Sequence, residues 1–147
     1  MKDKTKLVSV ITPMHNAEKY ILETIQSVQS QTYENWEMII VDDMSPDNSN
    51  EIIEEFIEKD SRIKVIKLEK NSGPAVARNR AIEEANGRYI AFLDADDLWM
   101  PEKLEKQLAF MTQNNYELTY TNYETMNEEG ENLNNTVVSP KRLNYQE

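Results

Sequence analysis

The sequence of 147 residues contains no cysteine and only three glycines, and each shortage excludes a kind of site. Without cysteine there can be no disulfide, no thiolate nucleophile and no zinc site of the cysteine type, which fits a reducing cytosol. None of the glycines lies in the loop after the first predicted strand, and this excludes a G-x-G-x-x-G dinucleotide loop and a Walker loop there. A phosphate ligand would therefore need a bound cation rather than a glycine-rich backbone cradle.

Basic residues and long apolar runs are scarce as well. Sixteen Lys and Arg residues stand against 27 Asp and Glu, which gives a formal net charge of −11. Nucleic acid and anionic lipid would be repelled by the bulk surface, so we expect no nucleic-acid partner. The apolar runs are too short to span a bilayer, and no secretory signal is visible. These features favour a cytoplasmic protein with one main domain.

Short apolar runs alternate with segments of helical periodicity along the first 122 residues. Parallel strands need crossover connections, which helices usually supply, and this alternation therefore predicts an α/β fold with a mainly parallel sheet and helices on both faces. The remaining stretch, 123–147, is rich in Asn and Glu and is predicted to be a hairpin or tail. The predicted strands are 7–12, 36–41, 63–68, 89–93 and 118–122, and the predicted helices include 20–31, 75–85 and 101–114.

Finer details of these elements can also be predicted. Ile40, Val41, Ile90 and Phe92 are predicted to lie in the core, because they stand in the middle of apolar runs. Asn48, three residues before Glu51, resembles an N-cap pair at the start of the second helix. Asn86 and Gly87 resemble a C-cap at the end of the third helix.

Three carboxylates follow the fourth predicted strand within four positions: Asp94, Asp96 and Asp97. Carboxylates held this close repel one another, so one must take up a proton or a cation must be shared. Hard oxygen ligands suit Mg²⁺ or Mn²⁺, which often needs only one or two protein carboxylates besides substrate phosphates. The cluster therefore suggests a metal-assisted phosphate site. The alternative is a solvated acidic loop at a helix start, where Asp also favours the helix dipole.

Other polar residues also follow predicted strands, and in a parallel sheet ligands bind beyond the carboxyl ends of the strands. His15, after Pro13 and before Asn16, could stack on a flat ring or donate a hydrogen bond, or could be an ordinary loop residue. Asp43 could accept from an N–H of a base, or could be a turn acid satisfied by backbone amides. Arg78 could add positive charge at this edge, or could lie on a solvated helix face.

Four separated motifs together resemble the large family 2 of glycosyltransferases with the GT-A fold. They are Val8–Asn16 (VSVITPMHN), Ile40–Asp43 (IVDD), Asn71–Asn79 (NSGPAVARN) and Phe92–Pro101 (FLDADDLWMP). The resemblance covers about the first 120 residues and implies a Rossmann-like nucleotide-sugar-binding domain.

The resemblance also implies an activity and a role for each matching residue. It implies inverting transfer of a sugar from a nucleotide diphosphate donor, expected to be a UDP-sugar, to a saccharide or lipid-linked acceptor. A divalent cation, Mn²⁺ or Mg²⁺, would be bound by Asp96 and Asp94. Asp43 would hydrogen-bond the base, and the nucleotide would also lie near Arg78 and Asp94. The first loop would contribute Pro13, His15 and Asn16.

The sequence departs from the family pattern in two places. His15 stands where the family usually has Tyr. The family's catalytic base is a carboxylate well beyond the D-x-D element, so we expect the base to lie beyond Glu147 and the chain to be truncated. Peripheral association with the inner face of the membrane is expected through the missing region. The alternatives are a non-catalytic nucleotide-binding fragment and a Mg²⁺-dependent phosphotransfer domain, since 39–43 resembles an acidic strand end of receiver domains.

Overall fold

The computed structural model describes residues 6–140, which divide into two compact units on either side of the Glu105–Lys106 bond. The first unit alternates strands and helices, and helix α4 continues into the second unit, where a hairpin follows. The strands are β1 (Val8–Met14), β2 (Trp36–Asp42), β3 (Ile63–Lys67), β4 (Tyr89–Phe92), β5 (Tyr123–Met126) and β6 (Asn132–Val137). The helices are α1 (Ile21–Gln29), α2 (Ser49–Lys59), α3 (Pro74–Glu83) and α4 (Lys103–Asn114).

The first unit is built on a four-stranded, entirely parallel sheet with the order β3-β2-β1-β4. β1 and β2 are the inner strands, and all seven residues of each are buried. This arrangement confirms the predicted α/β class and its mainly parallel sheet. Among residues 6–140, no helix is long and apolar enough to cross a membrane.

Helices cover both faces of the inner strands. On one face, Ala77 and Ala81 of α3 pack against Ile11 of β1 and Ile39 and Val41 of β2. The alternate residues of the same strands, which include Val10, Met38 and Ile40, point to the other face and are also fully buried. Helices α1 and α2 supply the apolar side chains for that face: Ile21, Ile25, Val28 and Ile53.

The prediction of core residues is confirmed for β2 and wrong for β4. Ile40 and Val41 have no exposed surface, whereas Ile90 is 40% exposed and Phe92 is 56% exposed. β4 is an edge strand, and its register pairs Phe92 with Ile11, on the face that α3 covers. Because α3 packs over β1 and β2, its cover of this face stops short of the β4 side chains.

The predicted strand 118–122 is wrong, because these residues form no ladder and Leu118 is 79% exposed. The strand instead begins at Tyr123 and pairs antiparallel with β6. The turn between them contains Gly130, whose φ of 80° suits glycine and whose N–H donates to the Asn127 carbonyl at 3.0 Å. The expectation of a hairpin after residue 122 is therefore confirmed, while the domain boundary at that position stays a prediction.

Both predicted helix caps differ from the structure. Asn48 precedes α2, but its side chain makes no capping hydrogen bond. The carboxylate of Asp47 instead accepts the Ser49 N–H at 3.2 Å. Gly87 lies beyond the end of α3 and has no positive φ. A Cβ atom there would lie 2.7 Å from the backbone nitrogen of Ser9, so glycine is required by the close approach to β1.

A buried carboxylate joins the strands near their amino ends. Glu37 of β2 accepts hydrogen bonds from the Ser9 hydroxyl at 2.7 Å, the Asn86 N–H at 2.7 Å and the Lys64 ammonium at 3.0 Å. Burial alone would raise the pKa of Glu37, but these three donors outweigh it and hold the pKa below its ordinary value. This network lies at the opposite edge from the polar loops.

Candidate functional site

The polar loops gather at the carboxyl edge of the sheet because all four strands are parallel. β1 runs further than predicted, so that Pro13 and Met14 are buried strand residues and the polar loop starts at His15. His15 and Asn16 are exposed, and Asn16 adopts a left-handed φ of 56°. Of the residues predicted in this loop, only these two present side chains to the surface.

Asp43 is the centre of the first cluster. The residue is 3% exposed, and its carboxylate accepts the backbone N–H of Ser72 at 2.6 Å and of Gly73 at 2.7 Å. Gly73 has a φ of 89° and directly precedes Pro74, the first residue of α3. Asp43 thus joins the end of β2 to the start of α3, as expected for a turn acid satisfied by backbone amides.

His15 joins the same cluster from the side. Its Nδ1 lies 2.9 Å from the Asp43 carbonyl, and because a carbonyl only accepts, Nδ1 carries the proton and donates. In neutral His15, Nε2 is then an acceptor, and the Asn71 amide lies 3.3 Å from it. These contacts fix the imidazole in the loop between Asp43 and Asn71 and leave the residue exposed.

The loop after β2 is tied to the loop after β1 by hydrogen bonds from successive backbone N–H groups. Asn16 donates to the Ser45 hydroxyl and Ala17 to the Ser49 hydroxyl, each at 3.0 Å. Glu18 donates to the Asp47 carboxylate at 2.9 Å. The two loops therefore hold each other in place beside the Asp43 cluster.

The geometry of Asp42 and Asp43 disfavours the phosphotransfer alternative. Asp42 is 3% exposed and accepts the Ser45 N–H at 2.9 Å and the Asn50 amide at 2.8 Å. A phosphoacceptor oxygen needs room for a whole phosphoryl group, which is a stricter requirement than accepting one more N–H, whereas both of these carboxylates are buried and hydrogen-bonded.

The second cluster lies one turn along α3. Arg78 donates from Nη2 to Oδ1 of Asp94 at 2.5 Å, and the two side chains are 34% and 47% exposed. An open cavity of about 400 Å³ is lined by this pair together with Phe92 and Asp97. Arg78 therefore faces the acidic loop rather than lying free on a solvated face.

The carboxylates of the acidic loop act on one another electrostatically. The pKa of Asp97 is raised, first by burial and then by the charges of Asp96 and Asp94. Within residues 6–140, no group of three or more His, Asp or Glu side chains could hold a metal ion. The two carboxylates of Asp94 and Asp96 nonetheless fit Mg²⁺ or Mn²⁺ chemically, since such an ion can take its other ligands from water and substrate phosphates.

Helix α3 connects the two clusters, with Gly73 before its first residue bound to Asp43 and Arg78 one turn later bound to Asp94. The prediction missed Phe92, which it placed in the core, and it did not identify the N–H groups of Ser72 and Gly73 as the partners of Asp43. The signal for the latter was Ser72-Gly73-Pro74, since glycine before a proline at the first helical position marks a tight helix entry.

Known proteins of similar sequence extend over nearly all of this chain. TuaG of Bacillus subtilis strain 168, named for teichuronic acid biosynthesis, is 50% identical over 139 residues, which is 95% of this chain and 55% of TuaG. The Escherichia coli protein WfgD, a UDP-Glc:α-D-GlcNAc-diphosphoundecaprenol β-1,3-glucosyltransferase, is 46% identical over 143 residues, which is 95% of this chain and 53% of WfgD. The chain thus spans about half the length of these relatives.

Solved structures share the fold. Residues 1–349 of TarS from Staphylococcus aureus, in complex with UDP, match with a TM-score of 0.69 and 38% identity over 74% of this chain and 32% of that chain. The mannosyltransferase PcManGT of Pyrobaculum calidifontis, in complex with GDP-Man and Mn²⁺, matches with a TM-score of 0.67 and 26% identity over 71% of this chain and 32% of that chain. The family model for glycosyl transferase family 2 matches residues 9–144. By sequence and by fold, this chain belongs to glycosyl transferase family 2.

Proposed function

We propose that this chain is the donor-binding part of an inverting, metal-dependent glycosyltransferase that uses a UDP-sugar. The observation that carries the proposal is the joining of two clusters by one helix, with Asp43 and His15 at its start and Arg78 and Asp94 one turn further. A nucleotide diphosphate needs both ends of such a site: a polar contact for the base and charge for the phosphates.

The Asp43 cluster would take the nucleoside. Asp43 has an acceptor lone pair left on each oxygen after the two backbone bonds, so it could also accept from an N–H of the base. The exposed ring of His15 would lie against the base, and Asn16 would border the same loop. Pro13 is buried, so any contribution it makes would be through the backbone that it fixes.

The acidic loop would take the diphosphate. Asp96 and Asp94 would hold Mn²⁺ or Mg²⁺, which as a Lewis acid stabilises the charge of a departing diphosphate. Arg78 already holds one oxygen of Asp94 and would orient that carboxylate toward the phosphates or ribose. Phe92 lines the same cavity with an apolar surface.

The proposed reaction also needs an acceptor and a general base. WfgD is named for a lipid-linked acceptor, and we propose a saccharide or lipid-linked acceptor for this protein, met in the cytoplasm at the inner face of the membrane. The carboxylate that deprotonates the acceptor hydroxyl is proposed to come from outside these 147 residues.

The proposal predicts that Asp96→Asn weakens metal-dependent UDP binding while leaving the unliganded protein as stable as the wild type, or slightly more so. The substitution removes a ligand oxygen from the cation but relieves carboxylate repulsion in the loop. Calorimetric titration of UDP with and without Mn²⁺, beside melting curves, measures both effects. Glu58→Gln, at an exposed position of α2, is the matched control for loss of one negative charge.

Three outcomes would contradict parts of the proposal. Equal Mn²⁺-dependent affinity in wild type and Asp96→Asn would remove Asp96 from the metal site, and equal wild-type affinity with and without Mn²⁺ would remove the metal itself. Titration with GDP under the same conditions tests the base, and a clear preference for GDP over UDP would overturn the assignment of a uridine donor.

A further inference from the structure

Helix α1 contacts the acidic loop through a buried hydroxyl. The Oγ1 of Thr24 donates to the carbonyl oxygen of Ala95 at 2.9 Å, across 71 positions of sequence, and Thr24 has no exposed surface. Ala95 lies between Asp94 and Asp96 and is itself 7% exposed. The peptide plane between the two carboxylates is therefore held from inside the protein.

A second contact holds the far end of the same loop. Gln31, which is 4% exposed, donates from Nε2 to the Met100 carbonyl at 2.8 Å and accepts the Leu104 N–H at 3.1 Å. The Thr32 N–H donates to the Pro101 carbonyl at 2.9 Å. The segment from Ala95 to Leu104 is thus attached to α1 and the residues just after it at both ends.

We propose that Thr24 is a positioning residue for the donor site, because its hydroxyl fixes the backbone from which Asp94 and Asp96 project. This inference rests on the proposed function, since it assumes that these carboxylates act on the metal and diphosphate. Thr24 itself is buried, so it would act through Ala95 rather than by direct contact with the nucleotide.

The hydrogen bond matters because the surrounding loop has few other internal restraints. Asp94, Asp96 and Asp97 repel one another, and within this turn the Asp97 N–H donates to the Asp94 carbonyl at 3.2 Å. Without the Thr24 hydroxyl, the Ala95 carbonyl would lose its hydrogen-bond donor, and it would recover a hydrogen bond by turning toward water. Such a rotation would change the directions of both neighbouring carboxylates.

The test compares Thr24→Val with Thr24→Ser in the 147-residue chain. Valine keeps the branched shape and removes the hydroxyl, whereas serine keeps the hydroxyl. Ser27→Ala is the matched control, because the Ser27 hydroxyl donates within α1 to the Thr24 carbonyl and not to the acidic loop. Hydrogen–deuterium exchange of peptides covering 93–100, and UDP titration with Mn²⁺, are the two measurements.

We expect Thr24→Val to speed exchange in 93–100 and to weaken Mn²⁺-dependent UDP binding, each by about tenfold, the factor that one net hydrogen bond contributes to an equilibrium constant. Exchange in β1 and β2 should not change. Thr24→Ser and Ser27→Ala should stay within about twofold of wild type in both measurements.

Three results would overturn the inference: unchanged exchange in 93–100 for Thr24→Val, faster exchange spread over β1 and β2 as well, or faster loop exchange with unchanged UDP affinity. Failure of the wild type to bind UDP with Mn²⁺ would instead defeat the proposed function. In that case the exchange comparison still decides whether Thr24 fixes the acidic loop.

Discussion

Replacing Asp43 with Asn tests the structural role of this residue in the unliganded protein, apart from its proposed contact with the base. Both carboxylate oxygens accept backbone N–H groups, from Ser72 at 2.6 Å and from Gly73 at 2.7 Å. Asparagine keeps one acceptor oxygen and presents an NH₂ group to the second N–H. Two donors then face each other at a site that is 3% exposed.

The cost can be estimated from these contacts. Loss of a hydrogen bond to a charged group costs about 1.5–3 kcal/mol, and a buried donor left without an acceptor costs about 1–3 kcal/mol. These two costs overlap, because they concern the same N–H, so we expect Asp43→Asn to lower the free energy of unfolding by about 2–4 kcal/mol. The effect should be present without any ligand.

Asp42 provides a matched control with the same exposure of 3%. Its partners are the Ser45 N–H and the side-chain amide of Asn50, whose Oδ1 accepts no hydrogen bond from the described residues. In Asp42→Asn, the Asn50 amide can turn over and accept from the new NH₂ group, which a backbone N–H cannot do. We therefore expect Asp42→Asn to cost less than about 1 kcal/mol.

Urea unfolding followed by tryptophan fluorescence measures both variants, because Trp36 is fully buried and Trp99 is 8% exposed. Equal losses of stability in Asp42→Asn and Asp43→Asn would refute the reasoning, since loss of negative charge alone would then explain both. A loss below about half a kcal/mol in Asp43→Asn would show that the Ser72 and Gly73 N–H groups find other acceptors.

Two further predictions concern the sheet. Ile40→Ala should lower the free energy of unfolding by about 2–5 kcal/mol, because it leaves a cavity in the core. Ile90→Ala on the edge strand should lower it by less than about 1 kcal/mol. Similar losses for the two variants in urea unfolding would contradict the edge position of β4. The pKa of Glu37 in the folded protein lies below its ordinary value of 4.5. The contribution of Glu37 to the free energy of unfolding is therefore complete above about pH 4.5 and is lost as the pH falls through the folded pKa. The wild type should therefore lose stability more steeply below about pH 4.5 than Glu37→Gln does, and equal slopes in unfolding from pH 6 to 3 would remove Glu37 as the cause.

The parallel sheet was predictable because its strands are apolar runs separated by segments of helical periodicity, a pattern that each stretch carries within itself. The sequence of a strand does not by itself show whether the strand lies inside a sheet or at its edge. Ile90 and Phe92 are as apolar as Ile40 and Val41, and only the strand order shows that α3 does not reach them. Leu118 likewise lies in a strand-like run that has no partner.

The position of the candidate site was also predictable from the sequence. Polar residues after apolar runs indicated the carboxyl edge of the sheet, and the structure brings Asp43 to His15 and Arg78 to Asp94. The roles of these residues in binding stay predictions. Thr24 could not be found from sequence, because a threonine within a helix is common and its partner lies 71 positions away.

Pro13 has a consequence for how the sheet can be extended. β4 stops pairing with β1 after Ile11, whose carbonyl accepts the Leu93 N–H, and β1 continues for three residues to Met14. Residues alternate along a strand, so Pro13 would be the next to present an N–H toward the side that β4 has left, and proline has none. A foreign strand that continued the ladder along this flank would therefore lack one hydrogen bond. This flank of β1 is thereby protected from strand exchange.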